Sequence, residues 1–178
     1  MNHPVSEKKY KFESSINTTF FIFIFLIYII HLPILHFRNL KDVIKFQSES
    51  KVCEEVDVLT SFAANSHAND HLVVKLHPLD PNFKRWGRRI AKHSRHLHVE
   101  SRVHFIDGGK LDEMIRLSAG VVVVNSTSGI QALQLDCPTK TLGDAIYNIP
   151  GLTHQNTLDS FWQSPCKAEP ELVNAFIQ

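Results

Sequence analysis

Glycine is scarce in this chain, seven in 178 residues, and those present form none of the patterns that mark common nucleotide enzymes. There is no Gly-x-Gly-x-x-Gly and no Gly-x-x-x-x-Gly-Lys-Ser/Thr, so a dinucleotide oxidoreductase or a P-loop nucleotidase is not supported. The lack of Gly-x-Ser-x-Gly removes the nucleophile elbow of an α/β-hydrolase. Cysteine is scarcer still. Cys53, Cys137 and Cys166 are odd in number and far apart, which fits free thiols in a reducing cytoplasm better than a disulfide framework. Charge of one sign is almost absent, with 19 Lys and Arg against 18 Asp and Glu, a net of +1. A general grip on nucleic acid needs a basic surplus, so no nucleic-acid partner is expected. Four of the 11 histidines, His93, His96, His98 and His104, lie close together, but their spacing matches no metal pattern and no Cys pair accompanies them. No metal and no cofactor is expected, and a solvated, partly basic helix face accounts for the cluster.

What the chain does have is length enough for one domain with a real core. It also has one apolar run in residues 20–30, interrupted afterwards at His31, Pro33 and His36. A signal peptide would need a small-residue cleavage site, which His31-Leu32-Pro33-Ile34 does not supply. A membrane anchor through residues 20–37 must tolerate His31 and Pro33. The Phe/Ile composition favours a buried strand or two. Beyond Lys41 the pattern is steadier. Amphipathic spacing predicts a helix through Ala64, then a polar loop, a strand over Leu72–Leu76, and a helix over Pro81–His98. A strand over Arg102–Ile106 and a helix over Leu111–Ser118 follow, with Gly120 as the helix stop. Next come a strand over Val121–Val124, a helix over Ser128–Leu135 and a strand over Thr139–Leu142. After the loop 143–151, helices are expected over Asn156–Gln163 and Glu169–Ile177. Alternating strands and helices make an α/β fold, a Rossmann-like parallel sheet with flanking helices.

In such sheets ligands collect outside the carboxyl ends of the strands. Three of those ends carry polar residues: Lys75, His77 and Pro78; Asp107-Gly108-Gly109; and Asn125, Ser126, Thr127 and Ser128. The last group closes a run of four valines and opens a helix, where free N–H groups and the helix dipole favour an anion. The same residues could merely cap that helix. Convergence of all three ends on one rim favours the anion site. His77 is held in an extended conformation by Pro78 and could donate to phosphate, or bond a neighbouring carbonyl. Lys75 shares its strand face and could add positive charge or reach solvent. Asp107 could be a base, although its turn explains it. Asp144 and Tyr147 could reach the rim, with no independent reason to select them.

These stretches carry a resemblance. Lys75–Asp80, Arg102–Gly109, Val124–Gly129 and Leu142–Thr153, in that order, resemble the capsule polysaccharide biosynthesis and export family, in its KpsS/LipB-type branch of Gram-negative bacteria. The resemblance runs from roughly Phe37 to Pro165 and divides the chain into a poorly matched segment, 1–37, and a nucleotide-sugar-binding domain, 38–178. It implies the C-terminal domain of a GT-B glycosyltransferase that takes CMP-Kdo and transfers Kdo to a lipid-linked linker. It implies that His77 contacts the CMP phosphate and that Ser126 and Thr127 bind the phosphate or the cytidine side, with Lys75, Pro78, Asn125 and Ser128 around them. The family's acidic catalytic motif lies in an N-terminal half with no counterpart here, so no catalytic residue is assigned and a truncated, donor-binding fragment is expected. The implied location is cytoplasmic, peripheral to the inner membrane, near capsule assembly proteins. The alternative is a non-catalytic, membrane-anchored component of capsule assembly or export.

Overall fold

The computed structural model describes residues 18–23, 55–76 and 85–178. His77 and Pro78, Cys53, the apolar run from Ile24 onward, and the helical expectations over residues 41–54 and 81–84 lie outside the described residues.

Five strands form one parallel sheet: β1 (Thr18–Phe23), β2 (Asp70–Lys75), β3 (Val103–Ile106), β4 (Gly120–Val123) and β5 (Thr139–Thr141). Their spatial order is β3-β2-β1-β4-β5. The start of the apolar run is therefore a strand, and it occupies the centre of the sheet. Thr18–Phe23 pairs along its length with Asp70–Lys75, and Phe20–Phe23 pairs with Gly120–Val123. The helices are α1 (Glu55–Asn65), α2 (Trp86–His96), α3 (Leu111–Arg116), α4 (Thr127–Gln134), α5 (Leu158–Gln163) and α6 (Pro170–Ile177). None of these is long and apolar enough to cross a membrane. Gly120 opens β4 rather than closing a helix, because α3 ends at Arg116, where the Leu117 N–H bonds back to the Glu113 carbonyl.

Alternation along each strand sorts its side chains onto two buried faces. Leu72, Val74 and Val122 pack with Val58, Leu59 and Phe62 of α1, Trp86 and Ile90 of α2, and Phe161 and Trp162 of α5. Val73, Val121 and Val123 pack with Ile115 of α3, Ala132 and Leu133 of α4, and Tyr147 and Leu152 from the loop beyond β5. Phe62 and Trp162 meet edge to face, centroids 5.4 Å apart. The Trp162 Nε1–H donates to Ser61 Oγ at 2.8 Å, so this buried indole keeps its polar end satisfied.

Two histidines brace β2 against β3. His71 Nδ1 and His104 Nε2 are 2.9 Å apart, with near-parallel rings. One nitrogen must donate and the other must be bare, so the bond fails when both rings are charged. Burial, then the neighbouring His71, lowers the pKa of His104. Burial, then Lys140, lowers that of His154, which bonds Ser160 Oγ through Nε2. The unfolded chain thus takes up these protons first. Their stabilisation is complete above the unfolded value of about 6.5 and is lost as pH falls through the lower folded values. The urea midpoint should drop between about pH 7.5 and about pH 5, and His104→Gln should reduce that drop. A midpoint that holds steady or rises on acidification contradicts this.

Candidate functional site

The strand order reverses between β1 and β4. The chain winds outward from β1 to β2 and β3, then returns to place β4 and β5 on the other side of β1. At such a reversal the flanking connections leave on opposite faces, and a crevice opens at the carboxyl ends of the strands. The β4–α4 turn lies at the carboxyl end of β4, beside this reversal.

Ser126 is the N-cap of α4. Its backbone is extended and its Oγ accepts the Ser128 N–H at 3.1 Å. It also lies 3.2 Å from Ser128 Oγ, to which it donates. Ser126 is wholly buried and Ser128 nearly so, whereas Asn125 and Thr127 are exposed. Capping and exposure are thus divided along one tetrapeptide. The Ser126 and Ser128 hydroxyls face inward and shape the turn. Asn125 and Thr127 stand outside, and the Thr127 N–H has no hydrogen-bond partner among the described residues. The first turn of α4 holds no carboxylate, so the positive end of the helix dipole is uncompensated.

Lys75 ends β2 at the same rim. It lies on the face of Val73, which is the face α4 covers. One strand, β1, separates it from β4, so the two strand axes are about 10 Å apart. Its side chain is 8% exposed and Nζ donates to the Leu76 carbonyl at 3.1 Å. Burial lowers the Lys75 pKa, and Asp107, at the end of β3, partly offsets this. An anion at the rim would repair the same loss of solvation. Asp107 and Asp144 are exposed. On β5 the Thr141 Oγ1 is buried without a partner among the described residues, one strand over from Val123. No group of three metal-ligating side chains occurs among the described residues. Cys137 is a buried free thiol, pushed up in pKa by burial, and Cys166 is exposed.

Sequence reasoning gave no ground for choosing Tyr147, yet it holds the turn together. The loop after β5 folds back so that Tyr147, 2% exposed, lies over the first turn of α4. Its hydroxyl donates to the Ser126 carbonyl. Burial raises the phenol pKa far above its ordinary value, so the group stays a donor. A Cβ on Gly129 would fall 2.7 Å from the Tyr147 ring. A Cβ on Gly143 would fall 2.9 Å from Val124 Cγ1 and 3.2 Å from the Val124 carbonyl oxygen. Glycine within a helix costs about 1 kcal/mol relative to alanine, so a lone glycine at this helical position was the available signal of a close approach.

Tyr147→Phe should cost about 1 kcal/mol in urea unfolding, since the Ser126 carbonyl keeps its second partner, the Gly129 N–H. Gly129→Ala should destabilise by about 1–3 kcal/mol through overpacking, despite its better helix propensity. In a Tyr147→Ala background the same Gly129→Ala change should be neutral or stabilising. Equal effects of Gly129→Ala in both backgrounds would show that the two residues are not coupled.

Comparison with known proteins gives the family of this chain. Capsule polysaccharide modification protein LipB of Neisseria meningitidis serogroup A / serotype 4A is 38% identical over 120 residues, which cover 67% of this chain and 29% of LipB. Capsule polysaccharide export protein KpsS of Escherichia coli is 31% identical over 147 residues, 82% of this chain and 38% of KpsS. Protein FixF of Sinorhizobium fredii is 40% identical over 90 residues, 51% of this chain and 20% of FixF. The chain therefore spans well under half the length of these relatives. The family model described as capsule polysaccharide biosynthesis protein matches residues 27–178, which include β2 to β5 and the whole β4–α4 turn. This chain belongs to the capsule polysaccharide biosynthesis protein family.

Proposed function

We propose that this chain is the donor-binding part of a capsule glycosyltransferase and that it holds the phosphate of CMP-Kdo at the β4–α4 turn. The observation that supports this most is the exposed Thr127, its N–H without a partner among the described residues, at an acid-free helix N-terminus beside the point where the strand order reverses. Membership in a capsule polysaccharide biosynthesis family supports a sugar substrate. In this reading the Thr127 N–H and hydroxyl and Asn125 meet the phosphate. Lys75, at the end of β2, and His77, two residues later in sequence, supply the further donors. Pro78 restrains His77, and Ser126 and Ser128 hold the turn in shape from beneath.

During transfer the bond between the sugar's anomeric carbon and the phosphate oxygen breaks, and CMP leaves with the bonding electrons. An acceptor hydroxyl oxygen forms the new bond to the same carbon and gives up its proton to a base. Charge grows on the phosphate as the bond lengthens, so donors already aimed at it lower the barrier. These residues need no metal for that task. The base is assigned to no residue of this chain. The lipid-linked acceptor and the capsule assembly proteins at the inner membrane complete the reading, with the chain on the cytoplasmic side.

Calorimetric titration tests the assignment. CMP should bind the folded chain at least about tenfold more tightly than cytidine, since a charge-assisted phosphate contact is worth about 1.5–3 kcal/mol. Lys75→Ala and His77→Ala should each remove most of that difference. Equal affinity for the two ligands, or no binding of CMP by folded protein, overturns it.

A further inference from the structure

The outer face of α2 carries a second feature, independent of the donor site. From Arg85 to Val99 the chain holds Arg85, Arg88, Arg89, Lys92 and Arg95 and no acidic residue, although the whole chain is nearly balanced in charge. The inward side of α2 is spent on the core, through Trp86, Ile90 and Ser94. Arg88, Lys92 and Arg95 fall on the opposite side, at helical spacings of four and three, and all are exposed. They make a straight cationic line about 10 Å long.

Among the described residues no acidic side chain offsets the start of this line, and only Arg95, in the last turn, sits where the helix dipole favours a cation. Cations four apart repel, and cations in the first turn oppose the helix dipole. The first turn holds no acid, and Arg85, the N-cap, makes no side-chain cap bond. Arg89 lies over the Trp86 ring, and Arg95 Nε donates to the Ala91 carbonyl. Among the described residues no carboxylate pairs with Arg88, Lys92 or Arg95. A helix whose first turns break local electrostatic rules, with no carboxylate against them among the described residues, points to completion from outside.

We infer that this face of α2 docks on an anionic phospholipid surface. The partner must be anionic, because the line presents three cations and, apart from Ala91, nothing apolar. It must be read by charge density alone. The exposed face has no Phe, Tyr or Trp to stack on bases and no Asn or Gln amide to reach base edges; besides the cations it carries the imidazole of His96. The line is convex and straight, a shape that meets a plane of phosphates along its length. The apolar side of the helix is buried in the core, so the contact adds no insertion and depends on ionic strength. Each cation close to such a surface contributes about a fivefold factor in affinity.

Sedimentation of the full chain with vesicles tests this. Phosphatidylcholine vesicles should bind little, and an equal mixture with phosphatidylglycerol should bind strongly at low salt and weakly at high salt. Arg88→Glu, Lys92→Glu and Arg95→Glu together should reduce binding at least about a hundredfold, with a cooperative melting transition retained because all three are exposed. Lys92→Glu should weaken binding severalfold more than Lys110→Glu, which changes the net charge equally at the start of α3. Three results each overturn the inference. The first is equal binding to phosphatidylcholine that survives the triple reversal, which assigns membrane contact to the apolar run. The second is equal loss from Lys92→Glu and Lys110→Glu. The third is tighter binding to double-stranded DNA than to the mixed vesicles at the same salt.

Discussion

A parallel sheet has to be covered on both faces, and the rest of this structure follows from that constraint. Each strand sends alternate side chains into one of two cores, so Val122 serves one cluster while Val121 and Val123 serve the other. Covering both faces requires the chain to place α1 and α2 on one side, then cross back and place α3 and α4 on the other. That crossing produces the reversal between β1 and β4. The position of the reversal is thus a by-product of core formation, and the β4–α4 turn lies beside it because β4 is the first strand after the return.

Within that turn the same short segment serves stability and exposure. The Ser126 hydroxyl caps α4 and its carbonyl takes the Tyr147 hydroxyl, so both sides of the residue are committed to holding the backbone. This leaves the neighbouring Thr127 exposed, with no bond to its N–H among the described residues. The arrangement needs Gly129, because any side chain there would displace the Tyr147 ring, and it needs Gly143 to let the following loop lie against Val124. A rigid turn matters for an anion site, because donors that are already oriented need no rearrangement when charge arrives. Lys75 adds a buried positive charge on the same face.

Much of this was legible in the chain. The four valines before Asn125 mark a buried strand, and the structure assigns Gly120–Val123 to β4. The Ser126-Thr127-Ser128 sequence marks a helix start, and Ser126 is the cap. Alternation of strands and helices predicts the parallel sheet, and the apolar run contributes a strand over Thr18–Phe23. Two things were hidden for physical reasons. Strand order depends on pairing between distant segments, so nothing local in Thr18–Phe23 shows that it lies at the centre of the sheet. Tyr147 acts through a contact 21 residues away, and only the awkward glycine at position 129 hints at it. The histidines from His93 to His104 suggest a solvated, partly basic helix face. That Arg88, Lys92 and Arg95 pair with no carboxylate among the described residues is visible only with the neighbours in place.

The central claim is that the first turn of α4 receives a phosphate. Amide resonances followed during titration with CMP, and separately with cytidine, test it most directly. The account predicts that the Thr127 and Ser128 amides shift with CMP and stay in place with cytidine, as a phosphate seated on their N–H groups requires. Shifts of equal size with both ligands, or shifts that spare residues 125–129 while other parts of the rim respond, would contradict it.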